Sequence, residues 1–257
     1  TLKNFTYILG LTKSSSGAIE THFLSYALLN TVIIVFVTVP VSIILALLIS
    51  VALNSIKWLK GFLQTIFFIP YVTNAIAIGM VFSVIFDQNG VINFIFNLKD
   101  LAWVGGVTAD RWRAMIPLCL YIIWHSLPYK ILIFLSGLQG IDKQYYQAAQ
   151  IDSCPKWKVL LKITVPLLSP QILYIMITSF IGAFKEYSSV VGLFNGPGLV
   201  NSSGTSSDPC METVVYYVYD NMHSNTSAAA AAAVFLFVII LAFTWLQFQA
   251  SKTKVHY

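Results

Sequence analysis

The chain has 257 residues, of which 57% are hydrophobic and only 10% charged, with a formal net charge of +5 and a mean hydropathy of +0.76. An average soluble domain carries about 25% charged residues, so this composition excludes an ordinary soluble protein and points to a bilayer. The positive balance does not signal nucleic acid, because Lys and Arg are scattered through the gaps between apolar runs rather than gathered on one face.

In chain order, a more polar segment, 1–26, precedes the first apolar run, Ala27–Leu53, which is too long for the core of a signal peptide. Four further runs follow, Phe62–Phe86, Met115–Leu138, Gln171–Phe194 and Ala228–Gln249. Crossing roughly 30 Å of hydrocarbon takes about 20 apolar residues in a helix. The two-residue alternation of a membrane barrel is absent, so each run predicts a transmembrane helix. The expected fold class is an all-α polytopic bundle over 27–250 with five spans, and a first residue other than Met raises the expectation of a sixth span ahead of them.

Loops retained in the cytoplasm are enriched in Lys and Arg. The set 54–61, 139–170 and the tail 251–257 holds eight basic residues, Lys57, Lys60, Lys143, Lys156, Lys158, Lys162, Lys252 and Lys254. The alternate set, 1–26, 87–114 and 195–227, holds five: Lys3, Lys13, Lys99, Arg111 and Arg113. The first set is therefore expected inside, and the N-terminal segment and the loop 195–227 outside. That loop, with "NSSGTSS" at its centre, reads as a water-exposed, flexible stretch. The run "AAAAAA" (228–233) opens the last span with small side chains that let helices approach closely.

Polar residues within spans face a cavity or a partner, since lipid offers them nothing. Asn74 follows Pro70, which is expected to kink the second span. Trp124 and His125 lie at comparable depth in the third. Lys185 and Glu186, followed by Tyr187, lie about 20 Å above the cytoplasmic start of the fourth at 1.5 Å per residue, about 100° apart on the helix. Lys130, nearer the cytoplasmic end, is expected to snorkel to the head groups. Rings stack on a sugar's C–H face and polar groups take its hydroxyls. Asn74, Trp124, His125, Lys185, Glu186 and Tyr187 are thus the candidate substrate pathway, the competing reading being helix–helix hydrogen bonds and nothing more. Cys119, Cys154 and Cys210 show no metal-ligand spacing and read as packing or loop residues; no metal site is expected.

Between the third and fourth spans lies "QYYQAAQIDSCPKWKVLLKITVP" (144–166), far longer than the usual link of 2 to 8 residues. It predicts a helix from Lys143 to Asp152, with Tyr146, Ala149 and Ile151 on its apolar side and Gln144, Gln147 and Gln150 on its wetter side. Pro155 suits the first turn of a second helix, Lys156 to Thr164. Trp157, Leu160, Leu161 and Val165 form its apolar stripe, with Lys158 and Lys162 opposite. Pro166 and Pro170 are expected to end it before the next span.

The spacing Gln147-Ala148-Ala149, three residues, Ser153, nine residues, Ile163, one residue, Val165-Pro166 resembles the EAA motif (EAA-x3-G-x9-I-x-LP) of permease subunits of bacterial ABC importers. The segments "FFIPYVTNAIAIGMVFSVIFDQNGVIN" (67–93), "AFKEYSSVVGLFNGPG" (183–198) and "METVVYYVYDNM" (211–222) are similar to those of the carbohydrate-uptake, maltose-transporter-like group, and the resemblance covers roughly 27–250. It implies a type I importer bundle in the bacterial cytoplasmic membrane, with the hairpin as a coupling helix seated in a separate ATPase subunit. Tyr146, Gln147, Ala148, Ala149, Asp152, Ser153, Ile163 and Pro166 would make that contact. The implied partners are two copies of the ATPase, which carry the ATP and Mg, a second permease subunit that is a paralogue, and an extracytoplasmic substrate-binding protein at the outer loop. The cargo would be a sugar or a related small polar solute.

Two positions depart from the motif, Gln147 for its Glu and Ser153 for its Gly. The first removes a charge whose pairing would roughly break even against desolvation; the second costs on the order of 1 kcal/mol if the turn needs positive φ. No phosphate-binding glycine loop, HExxH or GxSxG occurs, so the chain is not expected to be an enzyme by itself. The alternatives are an ATP-independent secondary transporter or channel, which would show interrupted spans in repeated pairs, and, more remotely, a membrane enzyme using His125. No such repeat is visible in the sequence.

Overall fold

The computed structural model describes residues 2–11, 22–56, 60–98, 101–104, 110–197, 199–201 and 207–251. Lys13, Lys57, Lys99, Lys252 and Lys254, used above for orientation, and the centre of "NSSGTSS" (202–206) lie outside these residues. The described chain is helical apart from one short hairpin: α1 (Leu2–Ile8), α2 (Phe23–Ser55), α3 (Lys60–Val72), α4 (Ala75–Ile85), α5 (Val91–Phe96), α6 (Arg111–Gly140), α7 (Lys143–Ile151), α8 (Lys156–Leu167), α9 (Ser169–Phe184), α10 (Ser188–Phe194), strands β1 (Leu199–Asn201) and β2 (Ser207–Pro209), α11 (Val214–Ser224) and α12 (Thr226–Ser251). The strands pair antiparallel with Val200 opposite Asp208.

Among the described residues three helices, α2, α6 and α12, are long and apolar enough to cross a membrane unbroken. The other two predicted spans are interrupted, contrary to the sequence reading. The second is bent by 103° between Gln64–Val72 and Ala75–Ile85. Pro70 stays inside α3, and the break falls at Asn74, whose backbone is extended and whose side-chain oxygen accepts the N–H groups of Ile76 (2.9 Å) and Ala77 (3.3 Å). Asn is a strong helix starter for this reason, so the chain begins a new helix there rather than kinking the old one. The fourth span ends at Phe184, and a separate helix, α10, starts at Ser188. Glu186 holds that start by accepting the Ser189 N–H at 3.0 Å. Lys185 and Glu186 therefore occupy a break, not adjacent positions on one continuous helix.

In lipid the driving force between helices is close packing and hydrogen bonding rather than escape from water, and both are visible. Helices α2 and α6 run side by side and parallel. Arg111 at the start of α6 donates to the Asn30 oxygen at 2.7 and 3.1 Å, while near their far ends Ser50 donates to Ile131 O at 3.2 Å. The second helices of the two broken spans, α4 and α10, meet at Gly79 and Gly192, where a Cβ on Gly79 would lie 2.7 Å from the Gly192 backbone. Ala228, Ala231 and Ala232 of α12 are buried against Ile8, Phe23, Ala27 and Val214, so the alanine run serves a seam within the chain.

The described part of the loop expected outside is more structured than its composition suggests. Residues Cys210 to Thr213 are buried. Asn30 donates to Cys210 O (2.7 Å) and Glu212 O (2.9 Å), Val214 N–H to the Thr31 hydroxyl (3.0 Å), and Thr213 to Glu186 O (2.6 Å). The Glu212 carboxylate meets His22 at 3.0 Å. This segment ties the start of α2 to the break between α9 and α10. The N-terminal segment is likewise not a mere external tail: α1 packs on α12, and α2 begins at Phe23, four residues ahead of the apolar run.

Candidate functional site

Along α6, His125, Ser126, Tyr129 and Lys130 repeat at i, i+1, i+4, i+5, which places them on one face of a helix. Along α9, Thr178, Ser179, Gly182 and Ala183 repeat at the same interval and lead to Glu186 in the break. The two faces meet, with Thr38 and Val39 of α2 and Tyr71 of α3, around a cavity of about 320 Å³. That is the lower end of the range for small-molecule sites.

One wall is aromatic and hydroxylated. Tyr71 and Tyr129 stack with centroids 6.1 Å apart at 15°, and the Tyr129 and Tyr174 hydroxyls lie 2.9 Å apart. Lys130 is 4% exposed and donates to the hydroxyls of Ser42 (2.5 Å) and Ser126 (3.0 Å). It therefore does not snorkel: serines on α2 and α6 hold its ammonium inside the bundle, at the wall of the cavity. Glu186 also borders the cavity, within electrostatic reach of His125.

Of the six residues expected to form the pathway, His125 and Glu186 line this cavity. The other four do not. Asn74 spends its side-chain oxygen on capping α4. Trp124, on a different face of α6 from His125, packs on Phe82 with centroids 5.4 Å apart. Lys185 is exposed at the break, and Tyr187 lies against Tyr216 and Tyr219, at 5.7 and 5.2 Å between centroids. Lys130, Tyr71 and Tyr129 were missed as lining residues, although the spacing on α6 was a signal for two of them.

The hairpin between α6 and α9 is built much as its sequence predicts. Asp142 caps α7 by accepting the Gln144 N–H at 2.9 Å. At its end, Ser153 N–H bonds to Gln150 O (3.0 Å) and Cys154 N–H to Ala149 O (2.9 Å), the paired bonds of a Schellman stop. Ser153 takes φ 52°, the left-handed conformation the motif's glycine would supply. Tyr146 and Thr164 hydroxyls meet at 3.2 Å and join α7 to α8. Ala149 is buried, whereas Gln147, Ala148, Asp152 and Ser153 are exposed, and Ile163 and Pro166 are half-buried.

The apolar sides of the hairpin are only partly covered within the chain: Ala149 is buried, whereas Ile151 is 84% exposed and Trp157 and Leu161 are also exposed. The second helix runs past Thr164 to Leu167, through π-helical turns over Leu160–Thr164, and ends between Pro166 and Pro170, where it meets α9 at 72°. The wider π winding falls just where Pro166 cannot donate an N–H to the preceding turn. Pro170 lies in the first turn of α9, where the missing donor costs nothing.

Comparison with known proteins gives one family. Residues 49–254 match the model of the binding-protein-dependent transport system inner membrane component. Among curated proteins the chain is similar to the lactose transport system permease protein LacF of Rhizobium radiobacter, 34% identical over 176 residues, covering 67% of this chain and 58% of that protein. It is also similar to the sn-glycerol-3-phosphate transport system permease protein UgpA of Agrobacterium fabrum, 29% identical over 252 residues, covering 97% and 82%. The chain spans little more than half the length of several such relatives, 54% to 59%. A solved bacterial ABC transporter involved in the import of the acidic polysaccharide alginate shares the fold, with a TM-score of 0.74 at 18% identity over 98% of this chain and 83% of that one.

Proposed function

The chain belongs to the family of binding-protein-dependent transport system inner membrane components, a multi-pass membrane family, and from this premise we propose that it is the permease subunit of an ATP-driven importer. It forms half of the pathway for a sugar or related small polar solute. A separate ATPase, present in two copies and carrying ATP and Mg, drives it through the α7–α8 hairpin. A paralogous permease supplies the other half, and an extracytoplasmic binding protein delivers the solute.

The observation that carries this reading is the hairpin itself. Its turn exposes Gln147, Ala148, Ile151, Asp152 and Ser153 together, with Ile151 bare to 84%. An exposed apolar residue on a rigid, doubly bonded turn suits insertion into a cleft of a partner. The turn leads through α8 into α9, which lines the cavity, so force on the hairpin reaches the site through one bent element. The interrupted spans would equally suit a secondary transporter; family membership favours the ATP-driven reading.

The test is transport in proteoliposomes holding the chain with its co-purifying ATPase and binding protein. Uptake is expected only with ATP inside, and Ile151→Glu is expected to lose the ATPase on purification while the chain remains folded. Uptake driven by an ion gradient in ATP-free vesicles refutes the proposal.

A further inference from the structure

The cavity carries charges of both signs. Helix α6 lines it with His125 and Lys130, and the Lys130 side chain turns back along the helix so that its ammonium meets the Ser126 hydroxyl at 3.0 Å. Helix α9 runs the opposite way, from Thr178 to Ala183, and delivers Glu186 near His125. A carboxylate and an ammonium therefore both border the cavity, and among the described residues they form no ion pair with each other.

Lys130 is the unusual group. An ammonium has three N–H donors, and serine hydroxyls accept from it at two contacts. Among the described residues it makes no ion pair; the salt bridge found there joins His22 and Glu212. Burying a cation with hydroxyl partners alone is costly, and in a membrane bundle such a group points to a counter-charge that comes and goes. The adjoining space, about 320 Å³, has the liquid-volume share of about ten waters, enough for a small solute.

We infer that Lys130 is the charge-selecting residue of this cavity, taking the oxyanion of an acidic, hydroxylated solute, such as a uronate carboxylate or a sugar phosphate. The solute binds with its acid at Lys130 and its hydroxyls toward Tyr129, His125 and Glu186, because the Glu186 carboxylate repels an acid and accepts from a hydroxyl. Ser42 and Ser126 are positioning residues that hold the ammonium at the wall. This deepens the importer reading and rests on it for the word "solute"; the charge preference of the cavity can be read without it.

The experiment uses the full chain with Cys119→Ala, Cys154→Ser and Cys210→Ala, carrying Ser179→Cys as a reporter on the cavity wall. Its modification by an anionic and by a cationic methanethiosulfonate is timed, each rate normalised to a free thiol in solution. The anionic reagent is expected to react faster by about tenfold, which is roughly 1.4 kcal/mol. Lys130→Gln is expected to bring the ratio to about one and Lys130→Arg to keep it. Millimolar glucuronate is expected to slow the reaction where glucose does not. The same contrast between glucose 6-phosphate and glucose separates phosphate from carboxylate recognition.

A ratio at or below one with Lys130 present, an unchanged ratio in Lys130→Gln, or equal protection by glucose overturns the inference, as does failure of both reagents to reach the cysteine. The reagent ratio and the glucuronate contrast are measured with Lys130 intact, so they decide the matter even if Lys130→Gln does not fold. No ATP or partner subunit is required. A failed charge preference leaves the ATP-driven reading standing, and a failed ATP dependence leaves the charge preference standing.

Discussion

Replacing Ser153 by Gly isolates one backbone conformation from everything else in the hairpin. Ser153 holds φ 52° and is exposed, and its backbone N–H donates to Gln150 O. The left-handed conformation costs a non-glycine residue about 1–2 kcal/mol. Glycine removes that strain but adds about 0.4–1 kcal/mol of unfolded-state entropy, which leaves a net gain of about 0.5–1 kcal/mol for the closed turn. Hydrogen exchange reads it directly, because the Ser153 and Cys154 amides are released only when the turn opens. A gain of that size slows their exchange by about two- to fivefold. Ser153→Ala should leave the rate near that of the native chain, since it keeps the Cβ. Ser153→Val should raise it, because a β-branched residue fits this region worst. If glycine exchanges as fast as serine, or valine as slowly, backbone strain does not set the stability of this turn.

Gly79→Ala should lower thermal stability in detergent by about 1–3 kcal/mol, because its Cβ would lie 2.7 Å from the Gly192 backbone, whereas Gly61→Ala, with nothing within 4 Å, should not. Asn30→Ala strips acceptor and donor from Arg111, Cys210 O and Glu212 O at once. It should cost about 1–3 kcal/mol or more, measured by the same melts, and should loosen the outer segment to proteolysis near Cys210. Asn74→Ala should cost about 1 kcal/mol through the lost cap and Asn74→Ser much less; with both variants folded, solute selectivity should match the native chain, and a changed selectivity would restore Asn74 to the pathway. Glu186→Gln should retain the α10 cap through its amide oxygen yet alter cargo selectivity in the uptake assay, which separates its two roles.

Much of the membrane architecture was legible in the sequence, because the free energy of placing a residue in lipid is nearly a local sum and needs no knowledge of neighbours. The hairpin was legible for a similar reason: caps, turn and amphipathic spacing are all read within a few residues, from Asp142 at one end of α7 to Ser153 at the other. Even the glycine-like turn at Ser153 follows from motif spacing.

What faces what was not legible. Ile151 shares the apolar side of its helix with Ala149 by sequence, yet the tertiary structure buries Ala149 and leaves Ile151 bare. The span breaks escaped notice because Asn74 and Glu186 can equally well project into a cavity or turn back on the next helix start, and sequence does not choose between them. Lys130 shows the limit most sharply. Its own helix offers Ser126 and a path toward the head groups, while the hydroxyl that holds it within the bundle belongs to Ser42, 88 residues away. Local chemistry decided that these segments are helices in a membrane. Which polar faces share a cavity was decided only when α2, α6 and α9 met, because that choice depends on the contacts of distant residues and not on the composition of any one of them.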